Sequence, residues 1–397
     1  MADFDWYKVR FLESAENLKP LVHVRTGRTP STQIAREIAA CLQQGRLLYE
    51  AAQQSPVEIR PLQQFYGMVG FGKALILARR VVSLAQLPPA HGVSDASGMG
   101  CRIADLTVRV NTAGTFQEFN DVVKSLTRLC YYDNATRPWA LYQQSASSQQ
   151  LSGLDISLRE ILGRIPGLES LFRNTFGHEG GTESVEVQHP FNADSSGEWR
   201  IRISDRELFT NLTSVQRIVS RWRDRFPFLK RWRFISASQA WGQSFFYFAN
   251  RDAAGADEFS EECLSHNTFA TTPGDAFFHF AQRLPPLAGG YSGSGAFAIS
   301  PLKGDIYPSE FALHFMALYI LSSLVRYRPQ TWAHAVSRTA VSDSPADDQA
   351  LALIEQFLEI NRTTVPSFVI TALNPNEDSY VAVTGEAAGI DHAKGPQ

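Results

Sequence analysis

The chain is poor in the residues that staple or load a fold. It has four cysteines, Cys41, Cys101, Cys130 and Cys263, widely scattered. None forms a C-x-x-C pair and no histidine sits at zinc spacing from one, so the pattern reads as reduced thiols in a cytoplasmic protein. The nine histidines are dispersed. No metal cluster and no cofactor is implied. Long apolar runs are missing as well. The longest, Phe311 to Val325, is interrupted by His314, Ser322 and Ser323 and falls short of the roughly 20 residues a membrane span needs. No membrane association is expected, and the acidic N-terminal stretch lacks the apolar core of a signal peptide. The formal net charge of -3 excludes a whole-molecule electrostatic trap for nucleic acid or anionic lipid, so any such binding needs a local patch. The strong catalytic signatures are absent too. "AGGYSGSGAF" is glycine-rich but lacks a P-loop ending and does not fit the G-x-S-x-G nucleophile pattern, and reads as a loop.

What is present is an ordinary globular composition, 44% hydrophobic and 19% charged over 397 residues, enough for one large or two smaller domains. Thr29 or Ser31 precedes a helical pattern of Ile34, Ile38, Cys41, Leu42, Leu48 and Ala52, which Pro56 stops. A second helix is expected from about residue 58 to 85, antiparallel to the first.

Strand alternation follows in "DLTVRVN", "SVEVQHPF" and "EWRIRIS", then in "FISASQAWGQSFFYFAN" and "GAFAIS". Between them "LDISLREILGRIPGLESLFRN" reads as a helix interrupted by Pro166. Helix returns at "YPSEFALHFMALYILSSLVRY". A new helix starts with Pro329 at its first position, and another follows from Asp347, both acids of "DD" favouring its positive end. The expected class is α+β, mainly α. A helical segment (1–100) and C-terminal helices (301–374) should form one bundle, with a β-containing middle lobe (101–300) and a loose tail (375–397).

"FYGMVGFGKALILARR" is the most informative stretch. Three glycines, Gly67, Gly70 and Gly72, sit in an apolar helix, where each costs about 1 kcal/mol relative to alanine. At about 100° per residue, Gly67, Gly70, Ala74 and Ala78 form one small-residue stripe flanked by Tyr66 and Lys73. Such a stripe admits either a second helix backbone or a flat ligand, with Tyr66 and Lys73 as polar groups. His91, in "AHGVSDASG", either orients its loop or faces the same ligand.

These blocks carry a resemblance. The run "LLYEAAQQSPVEIRPLQQFYGMVGFGKALILA" with "AHGVS" resembles the N-terminal signature of YaaC-like proteins, bacterial cytoplasmic proteins named after a Bacillus member. "SLREILGRIPGLESLF" is similar to their mid-chain segment, and "YPSEFALHFMALYILSSLVRYRPQTWAHAV" to their C-terminal helix. The resemblance spans roughly residues 30–340, is weak between about 180 and 300, and implies no activity. Because both signature blocks come from the expected bundle, Tyr66, Lys73, His91, Arg326 and Arg328 are expected to converge at its end.

Two further patterns bear on function. "RIVSRWRDRFPFLKRWR" holds Arg217, Arg221, Arg223, Arg225, Lys230, Arg231 and Arg233, opposed only by Asp224 and interleaved with Trp222 and Trp232. This is the composition of a phosphate- and base-contacting surface. It also suits a solvated amphipathic helix or a contact for an acidic protein. Arg328 and His334, with five residues between them, match the Arg-x(4–6)-His motif of HEPN-superfamily ribonucleases, where histidine moves a proton and arginine stabilises phosphate charge. The function expected is nucleic-acid-linked, binding or processing RNA or DNA in bacterial stress or phage defence. The alternatives are a non-catalytic scaffold or partner-binding subunit, joined to a protein partner or a second copy, and a HEPN-like ribonuclease.

Overall fold

The computed structural model describes residues 4–98, 100–124, 128–132, 139–190, 200–249, 259, 264–266, 275–276, 287–288, 296–337 and 349–374; the side chains of residues 128–132, 139–144, 187–190, 200, 231, 265–266, 275–276, 287–288, 296, 334 and 337 lie outside this description. In chain order the elements are α1 (Tyr7–Leu12), α2 (Ala15–Thr26), α3 (Thr32–Gln54), α4 (Arg60–Arg80), β1 (Val93–Asp95), β2 (Thr107–Val110), α5 (Thr115–Val123), β3 (Arg128–Tyr132), β4 (Trp139–Gln144), α6 (Ser148–Leu151), β5 (Asp155–Ser157), α7 (Leu158–Leu162) and α8 (Glu169–Phe176). Then come β6 (Thr182–Pro190), β7 (Arg200–Asp205), α9 (Leu212–Arg225), β8 (Arg233–Ala240), β9 (Gln243–Ala249), β10 (Leu264–His266), β11 (Asp275–Ala276), β12 (Leu287–Ala288), β13 (Ala296–Ile299), α10 (Glu310–Tyr327), α11 (Pro329–Ser337) and α12 (Leu351–Leu373). The fold is α+β and mainly α.

The described chain forms two compact units. The first draws on Met1–Lys124, Ala146–Gly180 and the chain from Pro308 through α12. N- and C-terminal helices therefore meet in one unit. The segments 101–124 and 146–180, assigned on sequence to the β-containing middle, belong with these helices. They supply α5 to α8 and the strands β2 and β5, which with β1 form a small antiparallel sheet ordered β1-β2-β5.

At the centre lies α4. It is buried along most of its length, as a helix surrounded by others must be, and it packs against α3, α5, α10 and α12. Phe65, Phe71, Leu75 and Leu77 are fully or almost fully buried. The neighbouring helices have defined starts. Ser31 caps α3 by accepting the Ile34 N–H at 3.2 Å, and Ser309 caps α10 by accepting the Ala312 N–H at 3.1 Å. Val81, in the left-handed region at φ 53°, ends α4, its N–H returning to the Leu77 carbonyl. Polar ties cross the apolar core: the Tyr49 hydroxyl donates to Asn361 Oδ1 at 2.7 Å, and Gln64 Nε2 donates to the Leu358 carbonyl at 3.0 Å.

Three elements depart from the sequence expectation. The N-terminal helices α1 and α2 precede the first expected one; Arg46, buried in α3, holds α1 by a bidentate pair with Glu13 at 2.6 and 3.0 Å. The expected single helix around Pro166 is instead β5, α7 and α8. And α12 continues through Pro366 to Leu373, its last two turns buried among apolar neighbours. There tertiary packing outweighs the hydrogen bond that proline removes.

The second unit comprises Ser125–Ser145 and Gly181–Tyr307. Its main sheet runs β10-β8-β9-β7-β6-β13-β12, with β11 paired to β6. All its pairings are antiparallel except β10 with β8. The alternating residues Ile201, Ile203, Phe234, Phe246 and Phe248 turn to one core, which Val215, Ile218, Val219 and Trp222 of α9 cover. β8 and β9 form a hairpin whose turn residues Trp241 and Gly242 both have positive φ, 51° and 75°, as a tight two-residue turn between twisted strands requires.

Candidate functional site

The glycine stripe of α4 faces α3. A Cβ on Gly70 would lie 3.0 Å from the Cys41 carbonyl oxygen and 3.1 Å from the Gly45 nitrogen; one on Gly67 would strike the Tyr49 ring. The stripe therefore brings two helix backbones together, and a helix occupies the face a flat ligand would need. Gly72, off the stripe, faces Phe119 of α5. Cys41 on this interface is not a nucleophile: burial pushes its thiol up to about 11, which Lys73 only partly offsets.

The polar residues at the stripe's edge do come together, on the side of α4 facing α10. The Arg326 guanidinium donates to the Tyr66 hydroxyl at 3.2 Å and lies over the Tyr66 ring at 5.9 Å and the Tyr327 ring at 4.9 Å. His91 is half-buried. Its ring meets Phe65 edge-on at 5.1 Å, Tyr66 at 6.3 Å and Tyr319 at 6.2 Å. Burial first, then the positive charges of Arg326 and Lys73, hold its imidazole below the usual histidine range. Both cations therefore act on one neutral ring. Tyr319 is shifted the other way, its hydroxyl held above the usual tyrosine range chiefly by burial.

The charge balance here is unusual for this protein. Several arginines of the same unit find acids: Arg46 has Glu13 and Glu50, Arg60 has Glu359, Arg80 has Glu118, Arg109 has Asp155 and Arg159 has Asp105. Among the described residues no carboxylate pairs with Lys73 or Arg326, and none hydrogen-bonds the His91 ring. Asp95, the acid on the Tyr319 side, is taken by Arg328 at 3.4 Å and by the Ser323 hydroxyl at 3.3 Å. The Arg326 guanidinium thus stands without a paired carboxylate in a half-buried setting, a combination that favours an anion.

Arg328 has another task. Its guanidinium donates to the carbonyls of Ser97 and Gly98, both at 3.1 Å, and pairs with Asp95, clamping the 95–101 segment onto the end of α10. His334 belongs to α11, and its ring lies outside the described residues. The structure therefore brings Tyr66, His91 and Arg326 together, with Arg328 beside them as an anchor, while Lys73 lies two turns along α4 from Tyr66. Arg326 was legible as the arginine ending an apolar helix; Tyr319, inside that helix, gave no sequence signal.

The basic segment 217–233 differs from its sequence reading. Trp222 and Trp232 are 5% and 2% exposed, inside the core of the second unit, where no base can stack on them. Arg217 and Arg221 pair with Glu207, and Arg221 also with Asp205. Arg225 pairs with Glu183 at 2.8 Å and donates to the Thr182 carbonyl. Arg223 donates to the Leu229 and Trp232 carbonyls. Lys230 is exposed and Arg233 half-buried, while the Arg231 side chain lies outside the described residues. The acids that neutralise this helix come from β6 and the β7–α9 connection, out of view of a reading confined to the segment. Among the described residues no three His, Cys, Asp or Glu side chains converge as a metal site, and no helix is long and apolar enough to cross a membrane.

Fold and cluster together define a mainly helical α+β protein with an Arg326–Tyr66–His91 cluster beside its central helix. The chain belongs to the YaaC-like protein family, whose pattern it matches over residues 10–373. No curated protein and no solved structure matches it.

Proposed function

We propose that this YaaC-like protein binds a phosphate-bearing ligand of the nucleotide or nucleic-acid class through Lys73, His91, Arg326 and Tyr66. The observation that carries this reading is the Arg326 guanidinium, which donates to the Tyr66 hydroxyl at 3.2 Å in a cluster whose half-buried His91 ring meets Tyr66 at 6.3 Å, with no carboxylate paired to Arg326 among the described residues. Two unit charges about 4 Å apart interact by about 4 kcal/mol at a surface-like effective dielectric, enough to favour an anion after part of that gain is lost to desolvation. Arginine's planar fork and lysine's point charge are the usual phosphate partners. The rings of Tyr66 and Tyr327 flank Arg326 and offer planes on which a base can stack. The nucleic-acid link expected from residues 217–233 thereby moves to the helical unit, since that segment's indoles are buried and Arg217, Arg221 and Arg225 are paired with acids. No cleavage step is assigned to Arg328 and His334, because the Arg328 guanidinium is committed to Asp95 and two carbonyls.

The test is a fluorescence-anisotropy titration of a labelled short RNA at two salt concentrations. Binding should weaken with salt, and Arg326→Ala should reduce the slope of log affinity against log salt by about 0.7, the share of one phosphate contact on a single strand. Salt-independent binding, or a slope unchanged in Arg326→Ala but changed in Arg221→Ala, contradicts the assignment.

A further inference from the structure

We propose that Tyr327 is the stacking residue of this site and takes an unpaired nucleobase on its outer face, so that the ligand is a free nucleotide or an unpaired position of a single strand and not a duplex. The inference rests on the phosphate-binding function proposed above and concerns the part of the ligand that is not phosphate.

The two tyrosines beside Arg326 differ in what surrounds them. The Tyr66 ring is enclosed by Phe65 at 5.4 Å, His91 at 6.3 Å and the Arg326 guanidinium at 5.9 Å, and its hydroxyl accepts from Arg326. It forms part of the wall. Tyr327 is 70% exposed. Among the described residues its ring meets one group, the Arg326 guanidinium at 4.9 Å. A cation therefore covers one face of Tyr327 and solvent the other. A base laid on the open face gains a stacking contact without displacing any side chain.

The guanidinium leaves its edge to the phosphate while its face holds the ring. Arg326 Nε donates to the Ser322 carbonyl at 3.2 Å, and Nη1 donates to the Tyr66 hydroxyl at 3.2 Å. A guanidinium has a donor fork, and both N–H groups of Nη2 have no acceptor among the described residues. These donors suit the oxygens of a phosphate. Phosphate on the Arg326 edge and base on the far face of Tyr327 are then separated by a single side-chain ring, a distance that the sugar of one nucleotide spans. Tyr66 Oη, which receives Arg326, keeps its own proton for a ligand oxygen.

The backbone that carries Tyr327 is fixed on both sides. Tyr327 is the last residue of α10, whose end is closed by the Arg328 N–H on the Leu324 carbonyl at 3.0 Å. Two residues on, Pro329 opens α11. That helix is tied down by the buried Trp332, whose indole N–H donates to the Glu58 carbonyl at 2.8 Å. A ring presented this way needs little ordering when a base arrives. Inside a duplex each base is stacked on both faces and paired along its edge, so it reaches such a ring only by being flipped out, at a cost in stacking and pairing. An unpaired base has no such cost.

The experiment titrates the full chain with a short single-stranded RNA, its blunt duplex, an abasic strand of the same length, a nucleoside 5′-monophosphate and ribose 5-phosphate. The single strand should bind at least about tenfold tighter than the duplex or the abasic strand. Tyr327→Ala should remove that preference and weaken the single strand by about 5- to 150-fold, the worth of stacking one base. Tyr327→Phe, which keeps the plane, should stay within about twofold of wild type. Tyr327→Ala should leave the salt dependence unchanged, whereas Arg326→Ala should lower it. Binding of the monophosphate but not of ribose 5-phosphate or any strand supports the inference and identifies the ligand as a free nucleotide. Equal binding of single strand, duplex and abasic strand, or full affinity in Tyr327→Ala, overturns the stacking inference while leaving the phosphate site. Affinity lost in Tyr327→Ala with the salt dependence unchanged in Arg326→Ala overturns the phosphate reading and not the stacking. Binding of no probe overturns both.

Discussion

Arg326 Nη1 donates to the Tyr66 hydroxyl at 3.2 Å across 260 residues of sequence, joining the two blocks that carry the family resemblance. The pair ties the last turn of α10 to the second turn of α4. Tyr66 is 37% exposed and Arg326 has no acidic partner among the described residues, so the contact sits where a ligand could reach it. It also fixes the guanidinium between two aromatic rings, which lowers the entropy that binding would otherwise have to remove.

His91 provides a readout without any ligand. Its pKa lies below the ordinary 6.5, first through burial and then through Arg326 and Lys73. Between the folded and unfolded values the unfolded chain holds a proton that the native state does not. His91 therefore contributes stability that is fully present above its unfolded pKa and is lost as pH falls through its folded one. NMR titration should place the imidazole below a model histidine, and Lys73→Met should raise it part of the way back. A value unmoved by Lys73→Met contradicts the shared electrostatic environment.

The two classes of glycine in α4 should separate in a stability measurement. Alanine favours a helix by about 1 kcal/mol over glycine. At Gly70 the added carbon meets backbone atoms of α3 at 3.0 to 3.2 Å, which cannot swing aside, and overpacking costs about 1–3 kcal/mol. At Gly72 it meets the edge of the Phe119 ring at 3.3 Å, which can. Thermal denaturation should show Gly70→Ala destabilised and Gly72→Ala close to neutral or slightly stabilised. The reverse order contradicts the packing of α3 on the stripe.

In the second unit, Trp222→Ala should act on stability and not on binding. The indole is buried with Phe226 at 5.8 Å, and truncating a buried tryptophan costs about 3–5 kcal/mol. Arg221→Ala should cost about 1 kcal/mol, because its guanidinium is half-exposed and its pairs with Glu207 and the largely buried Asp205 are screened on one side only. Chemical denaturation together with an RNA titration checks both; a stable Trp222→Ala variant with lost RNA affinity contradicts the assignment of this residue to the core.

Arg328→Ala should loosen residues 95–101 without changing ligand affinity more than about twofold, since its donors serve the carbonyls of Ser97 and Gly98 and the Asp95 carboxylate. Freed Asp95 also brings a negative charge nearer the cluster, so any change in affinity should be a decrease. Hydrogen exchange over 95–101 measures the first effect, and an unchanged protection pattern contradicts the clamp.

Local patterns in the chain carry much of this architecture. Ser31, Ser309 and Pro329 mark helix starts because capping is local, and the alternation in β7 to β9 marks strands because one face is buried. The convergence of Tyr66, His91 and Arg326 is foreshadowed by polar groups set in apolar helices. Hidden in the sequence are partners far along the chain. Gly45, 25 residues upstream of Gly70, decides what the stripe meets, and Glu183, 42 residues before Arg225, cancels a charge that looks free. The run through Pro366 is hidden for the same reason: its helix is held by tertiary burial, not by propensity.

The central claim is that Lys73 and Arg326 hold a phosphate group, and isothermal titration of a nucleoside monophosphate into the wild-type chain and into the Lys73→Gln/Arg326→Ala double variant tests it most directly. Removal of two charge-assisted contacts, about 1.5–3 kcal/mol each, predicts affinity at least about 100-fold weaker in a variant that melts as a folded protein. Equal affinity in the two proteins would contradict it.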